Sequence, residues 1–370
     1  MNSSGLRDGI IARRYSRRDM SRLLAAAGIG LVTVPVAGGR ALAQEQALYY
    51  ALGGFAEDPL FETYRALHGG NPDVSLWSDE EEAFIKMRGG FTPDVTYCGT
   101  YSVARWRDGD ILQPIDTSRL TNWSNLFESL RNVTDAVADG EQWLCPVGWG
   151  TTSVLYRTDL VEDQDQSWGM LWDNRYAGRL AMIDNVADGV AGAAIYAGID
   201  PYTMDEAAIA EVKKVMCAQK PLLRLYTMDM SSLQQAMASG EIVAAMTWND
   251  AYAGLKGQGV PVTYMFNPKE GLSTWAACLV LNKNAAHVDL AYDLMNSITD
   301  PDAGAFWMTT YGFGHANQKA YGLVPAADLE ALGIPTDPTT VLKSGIFQSR
   351  MENEDKVTIM FEEVKAGDCS

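Results

Sequence analysis

"EIVAAMTWNDAY", residues 241–252, reads as a buried strand that runs out into an aromatic and acidic exit. Its apolar run is followed by Trp248, Asp250 and Tyr252 at alternate positions, and then by the glycine-broken stretch AGLKGQG. Packing accounts for one ring at a strand exit, since an aromatic body caps a core well. It does not account for a carboxylate set between two rings. Working outward, "ALYYAL", "VSLW" and "PDVTYC" read as further strands, and "PLFETYRALH", "EEEAFIKMRG" and "TYSVARWRDG" as the helices between them. Short β-rich runs alternating with amphipathic stretches predict an α/β protein with parallel sheets covered by helices on both faces. Farther on, Ile209, Val212, Val215 and Met216 mark one helix face, and Leu290, Leu294 and Ile298 mark another.

The strand exits share a composition. "VSLW" ends at Trp77, "VTYCGTY" at Tyr101 and "WLCPVGW" at Trp149. "LAMIDNVAD" ends with Asp184 and Asp188, "LLRLYTMD" with Tyr226 and Asp229, and "AAMTWNDAY" with Trp248 and Asp250. In open α/β sheets ligands bind beyond the carboxyl ends of the strands. Rings and acids gathered there suit a cation, because ring faces attract positive charge and carboxylates neutralise it. The alternative is that these rings only cap the cores.

Charge narrows the function classes. The 370 residues carry a net charge of −18, and residues 1–43 hold seven Arg against two Asp, which leaves the remainder at −23. Such a surface repels nucleic acid and anionic membranes and attracts cations. The N-terminus has the layout of a signal peptide: a basic segment with Ser16-Arg17-Arg18, an apolar stretch from Leu23 to about Ala37, and the small-x-small site Ala41-Leu42-Ala43 before Gln44. The twin arginine points to the Tat route, with cleavage near Ala43 and a soluble periplasmic product. Five cysteines are scattered (Cys98, Cys145, Cys217, Cys278 and Cys369), with no CxxC pair. Cys98 with Cys145, both near ends of predicted strands, is the expected disulfide; the alternative is that the thiols are buried small hydrophobes.

Catalytic chemistry is not written in the chain. Its three histidines, His68, His287 and His315, are isolated, and no HExxH, GxSxG, P-loop or GxGxxG after a strand is present. No metal and no cofactor are expected, and no enzymatic activity.

Four motifs carry a resemblance: "LQPIDTSRLTNWSNL" (112–126), "SWGMLWDNRYAGRLAMID" (167–184), "MTWNDAY" (246–252) and "NPKEG" (267–271). Together and in this order they look like the spermidine/putrescine-binding proteins, the extracytoplasmic receptors of polyamine ABC importers, over about residues 46 to 366. The resemblance implies a two-lobed periplasmic-binding-protein fold of type II-like form, each lobe a mixed sheet flanked by helices, with the ligand in the hinge cleft. It implies lobe 1 from 44–150 plus about 276–322, and lobe 2 from about 151–275 plus 323–370. Its partners would be a membrane permease and, through it, an ATPase, with the receptor acting as a monomer. The residues it carries over are Tyr101, Trp248, Trp275, Asp188, Asp250, Gln348 and, where the family has a tyrosine, Phe313; Asp184, Trp149 and Trp77 join from the strand exits.

The departures from the family pattern bear on the ligand. Ala277 stands where polyamine binders have an aspartate, Leu52 and Phe55 where they have a tryptophan and a tyrosine, and Asn185 where an acid is expected. A diamine needs an anion at each end, because a desolvated ammonium left unpaired costs several kcal/mol. The polyamine reading therefore stands beside a compact methylated onium in an aromatic cage: glycine betaine, choline, trimethylamine N-oxide or dimethylsulfoniopropionate. Further alternatives are a Tat-exported enzyme and a ferric-ion receptor using Tyr49 and Tyr50.

Overall fold

In the computed structural model of the chain, residues 45–162 and 165–369 are described. The expected signal peptide and its twin arginine lie outside them. Eight strands form the backbone of the molecule: β1 (Leu48–Leu52), β2 (Asp73–Trp77), β3 (Val95–Gly99), β4 (Cys145–Arg157), β5 (Leu180–Ile183), β6 (Leu223–Thr227), β7 (Ala244–Trp248) and β8 (Ser273–Asn282). They hydrogen-bond in the order β2-β1-β3-β8-β4-β7-β5-β6. The outer pairs are parallel, as the alternation with helices predicts. The three central pairs, β3–β8, β8–β4 and β4–β7, are antiparallel, so the sheet is mixed and not parallel throughout.

The reason lies in β4 and β8. Every residue of β4, CPVGWGTTSVLYR, and of β8, STWAACLVLN, is buried. Each is long enough to serve two layers, and the chain leaves the first lobe along β4 and returns along β8 beside it. Their register sets Trp275 opposite Gly150 and Ser273 opposite Thr152. Hydrophobic side chains gather into a separate core on each side of this pair. Tyr49, Phe61, Trp106, Leu279 and Trp307 belong to the first lobe's core, as do Val324, Leu329, Ile334 and Leu342. Trp168, Met182, Val243 and Met246 centre the second lobe, with Val212, Met216 and Phe361 packed in a neighbouring cluster.

The helices named below are α1 (Glu80–Arg88), α2 (Val103–Asp108), α3 (Glu206–Gln219), α4 (Asp250–Gly257), α5 (Pro301–Tyr311) and α6 (Glu354–Ala366). Asp79 caps α1 by accepting from the backbone N–H groups of Glu81 and Glu82. Among the described residues, no helix is long and apolar enough to cross a membrane.

The disulfide differs from expectation. Cys217 of α3 is bonded to Cys369, whereas Cys98, Cys145 and Cys278 are buried free thiols. Cys98 lies on β3 and Cys145 on β4, with β8 between them. Two strand spacings of about 4.8 Å put their Cα atoms beyond the roughly 7 Å that a disulfide spans. Cys98 instead faces Cys278 across the ladder, with the two Sγ atoms 3.7 Å apart.

Candidate functional site

The strand exits converge on a narrow cavity of about 90 Å³ between the two lobes. The first lobe brings Leu52 from β1, Trp77 from β2, and Tyr97 and Gly99 from β3, followed by Phe55 and Tyr101. The second brings Asn185 and Asp188 after β5, Met228 after β6, and Trp248 at the end of β7. β8 supplies Trp275, Ala276 and Ala277, and Phe313 and Gln348 complete the wall.

The rings are ordered against one another. Phe55 stacks on Tyr97 with centroids 5.1 Å apart, and Trp275 meets Phe313 edge to face at 4.9 Å. Trp275 lies against Gly150, where any side chain would overlap its indole, so glycine at 150 is what admits the ring. The indole N–H groups of Trp77 and Trp275 are buried and have no acceptor within the protein.

Among the acids of the cavity wall Asp188 is the most buried, at 4 % exposed. Thr152 Oγ1 donates to its Oδ1 at 2.7 Å, while Asn185 Nδ2 and Trp248 Nε1 donate to its Oδ2 at 3.0 and 3.2 Å. Burial raises its carboxyl above the usual range, and these three donors oppose the rise by stabilising the charge. The Gln348 side chain holds the same turn by donating to the Ala187 carbonyl at 3.2 Å. Among the lining residues there is no Lys, Arg or His. The arrangement can take a cation against rings and a carboxylate, and offers no basic side chain to a ligand anion.

Residues 77–333 match the family of bacterial extracellular solute-binding proteins. The chain belongs to that family. The spermidine/putrescine-binding periplasmic protein of Escherichia coli K12 is 27 % identical over 284 residues, covering 74 % of this chain and 78 % of its own length. A putrescine/agmatine-binding protein of Pseudomonas aeruginosa is 26 % identical over 231 residues, covering 58 % of this chain and 62 % of its own. The solved structure of the spermidine/putrescine ABC transporter substrate-binding protein PotD from Streptococcus pneumoniae superposes with a TM-score of 0.71 at 18 % identity, covering 88 % of this chain and 99 % of that one. At that identity it speaks for the fold alone.

In this solute-binding protein the structure brings together seven of the residues named from sequence: Trp77, Tyr101, Asp188, Trp248, Trp275, Phe313 and Gln348. Three others sit elsewhere. Trp149 is buried in the first lobe's core, its Nε1 donating to the Tyr321 hydroxyl at 3.0 Å and its ring lying over Gly314. Asp184 is paired with Lys365 at 2.8 Å and lines a separate polar cleft of about 620 Å³. Asp250 lines a third cavity of about 720 Å³, which shares Leu52, Phe55, Trp77, Met228, Trp248 and Phe313 with the central one. Burial pushes the Asp250 carboxyl up to about 7, and its Oδ1 has no hydrogen-bond partner. Between Trp248 and Asp250, Asn249 joins the lobes: its Oδ1 accepts from Thr151 N–H at 3.0 Å and its Nδ2 donates to the Gly312 carbonyl at 2.6 Å.

Sequence reading passed over Tyr97, Met228 and Glu80, which also line the cavity. Tyr97 lies inside a strand and not at its exit. Glu80 sits in the acidic run DEEE, which reads as a solvated helix start. The tyrosines of the ferric alternative, Tyr49 and Tyr50, are wholly buried in the first core. Among the described residues no group of three or more His, Cys, Asp or Glu is placed to hold a metal ion.

Proposed function

We propose that this protein is the extracytoplasmic receptor of an ABC importer for a small cationic amine of the polyamine class. It is exported through the leader at 1–43, captures the amine between its lobes as a monomer, and delivers it to a permease driven by an ATPase. The observation that carries this reading is the aromatic cavity that holds the buried, triply hydrogen-bonded Asp188 and has no basic residue in its wall. Sequence relatives named for spermidine, putrescine and agmatine support the same class. Three or four ring faces at about 0.5–2 kcal/mol each, with a desolvated carboxylate, reach the roughly 8 kcal/mol of micromolar affinity.

A compact onium is the second reading, favoured by Ala277 in place of an acid. Choline fits that reading better than glycine betaine or dimethylsulfoniopropionate, whose carboxylates would meet Asp188 and Glu80 without a basic partner in the wall. Thermal melts of the purified protein against putrescine, spermidine, agmatine, choline, glycine betaine and γ-aminobutyrate test the proposal. Stabilisation by the di- and polyamines above all others is expected. Stabilisation by choline or glycine betaine alone would replace the polyamine reading with the onium one, and stabilisation only by γ-aminobutyrate would overturn both.

A further inference from the structure

The amine-receptor reading leaves one question about charge: Ala277 gives β8 no carboxylate with which to pair a second ammonium or share the first. Gly99 lies directly across from Ala277 in the β3–β8 ladder. The Gly99 N–H donates to Glu80 Oε1 at 2.8 Å, which brings a carboxylate to the cavity beside position 277 from a different part of the chain. Glu80 is the first residue of α1, is half-buried, and is also held by the Ser102 hydroxyl. A side chain at position 99 would overlap the Tyr101 ring and crowd Glu80 Oε1, so glycine there permits the approach. Glu80 lines both the central cavity and the polar cleft next to it. Across the cleft stands Asp188 of the other lobe; burial first, and then the charges of Glu80 and Asp188, raise the Tyr101 phenol well above its usual range.

We propose, resting on the amine-receptor reading, that Glu80 is the second anionic contact for the ligand and replaces the carboxylate missing at Ala277. A cation in the cavity is then gripped by one acid from each lobe, Glu80 and Asp188, so that capture and closure are one event. This makes Glu80 a specificity-determining residue, selecting ligands with more positive charge than a single onium carries.

The charged and titratable groups around Glu80 are Asp79 and Glu81 on its own turn, Tyr97 and Cys98 on β3, and Tyr101 beyond it. Arg105 of α2 is engaged by Glu81 and by Glu354 of α6. Burial pushes the Glu80 carboxyl up to about 7 against the donors Ser102, Gly99 and Tyr101. An ammonium beside it favours the ionised form, so binding near neutrality expels the proton that Glu80 holds in the free protein. The ligand's amines stay charged throughout this range.

Calorimetry of the purified protein with putrescine at pH 6, 7 and 8, in buffers of different ionisation enthalpy, tests the assignment. The expected result is proton release on binding near pH 7 and an affinity that rises about tenfold from pH 6 to pH 8. Glu80→Gln, which keeps an oxygen for the Gly99 N–H, should abolish that release, flatten the pH profile and weaken binding at pH 8 by at least about tenfold. Adding Ala277→Asp to Glu80→Gln should restore the affinity. Native affinity, pH profile and proton release in Glu80→Gln would overturn the assignment while leaving the amine-receptor reading intact. Failure of the unsubstituted protein to bind any amine would overturn the reading and this inference together.

Discussion

At the scale of single residues, the proposed amine would lie against the faces of Trp248 and Trp275 and beside the charge of Asp188, which line one cavity. Trp248 contributes twice, since its indole N–H also donates to Asp188 at 3.2 Å. Trp248→Ala or Trp275→Ala should therefore weaken the preferred amine at least about tenfold, a loss of roughly 1.4 kcal/mol, measured by calorimetric titration. Ala277→Asp in the native background should raise putrescine affinity, because it adds an anion next to Gly99 and Glu80 on the same cavity floor. Much of this site was legible in the chain, since the exits of β2, β5 and β7 deliver their rings and acids where an α/β sheet puts its ligands. Asp184 follows β5 directly and still lies outside the cavity, whereas Trp149, expected at a strand exit, lies inside β4, which continues to Arg157. Alternation along a strand says that neighbouring side chains take opposite faces, but not which face meets the cleft. Glu80 was hidden for another reason: only the β3–β8 register shows that a helix-start acid reaches Gly99.

At the scale of elements, α4 and the C-terminal segment carry the testable consequences. Asp250 opens α4 with its carboxyl pushed up to about 7 by burial, whereas an unfolded aspartate titrates near 3.8. The folded state thus holds the proton more tightly, and stability falls as pH rises from about 4 to about 7 and then levels off. Asp250→Asn should remove that part of the decline, so the gain in melting temperature should be larger at pH 8 than at pH 4. The Cys217–Cys369 bond closes a loop of 152 residues and ties α3 to the chain end beyond α6. Chain-entropy reasoning assigns such a loop about 5 kcal/mol, so Cys217→Ser, or reduction, should lower the melting temperature clearly. Helix faces were legible from spacing: Ile209, Val212 and Met216 are buried, as are Leu294 and Ile298. The disulfide was not, because cysteine pairing depends on strand order, and β8 enters between β3 and β4 from more than a hundred residues away.

At the scale of the whole molecule, two lobes share one mixed sheet whose central strands, β4 and β8, pass between them. The alternation of strands and helices predicts the parallel outer pairs, but it carries no trace of a chain that crosses to a second lobe and comes back antiparallel. Charged pairs span the cleft on the side of α6: Arg105 of α2 meets Glu354 at 3.4 Å, and Arg350 meets Asp108 at 3.5 Å. Both are partly exposed, so each is worth about 0.2–1 kcal/mol at most. Arg105→Ala should accordingly weaken ligand binding by no more than about fivefold, and high salt should blunt the difference. The central claim is that a buried carboxylate in an aromatic cleft captures a cationic amine. Calorimetric titration of putrescine and spermidine into the native protein and into Asp188→Asn tests it most directly. The account predicts one-to-one binding at micromolar or tighter affinity by the native protein, lost at least about tenfold in Asp188→Asn; equal affinity in the two proteins, or no binding of either amine by the native one, would contradict it.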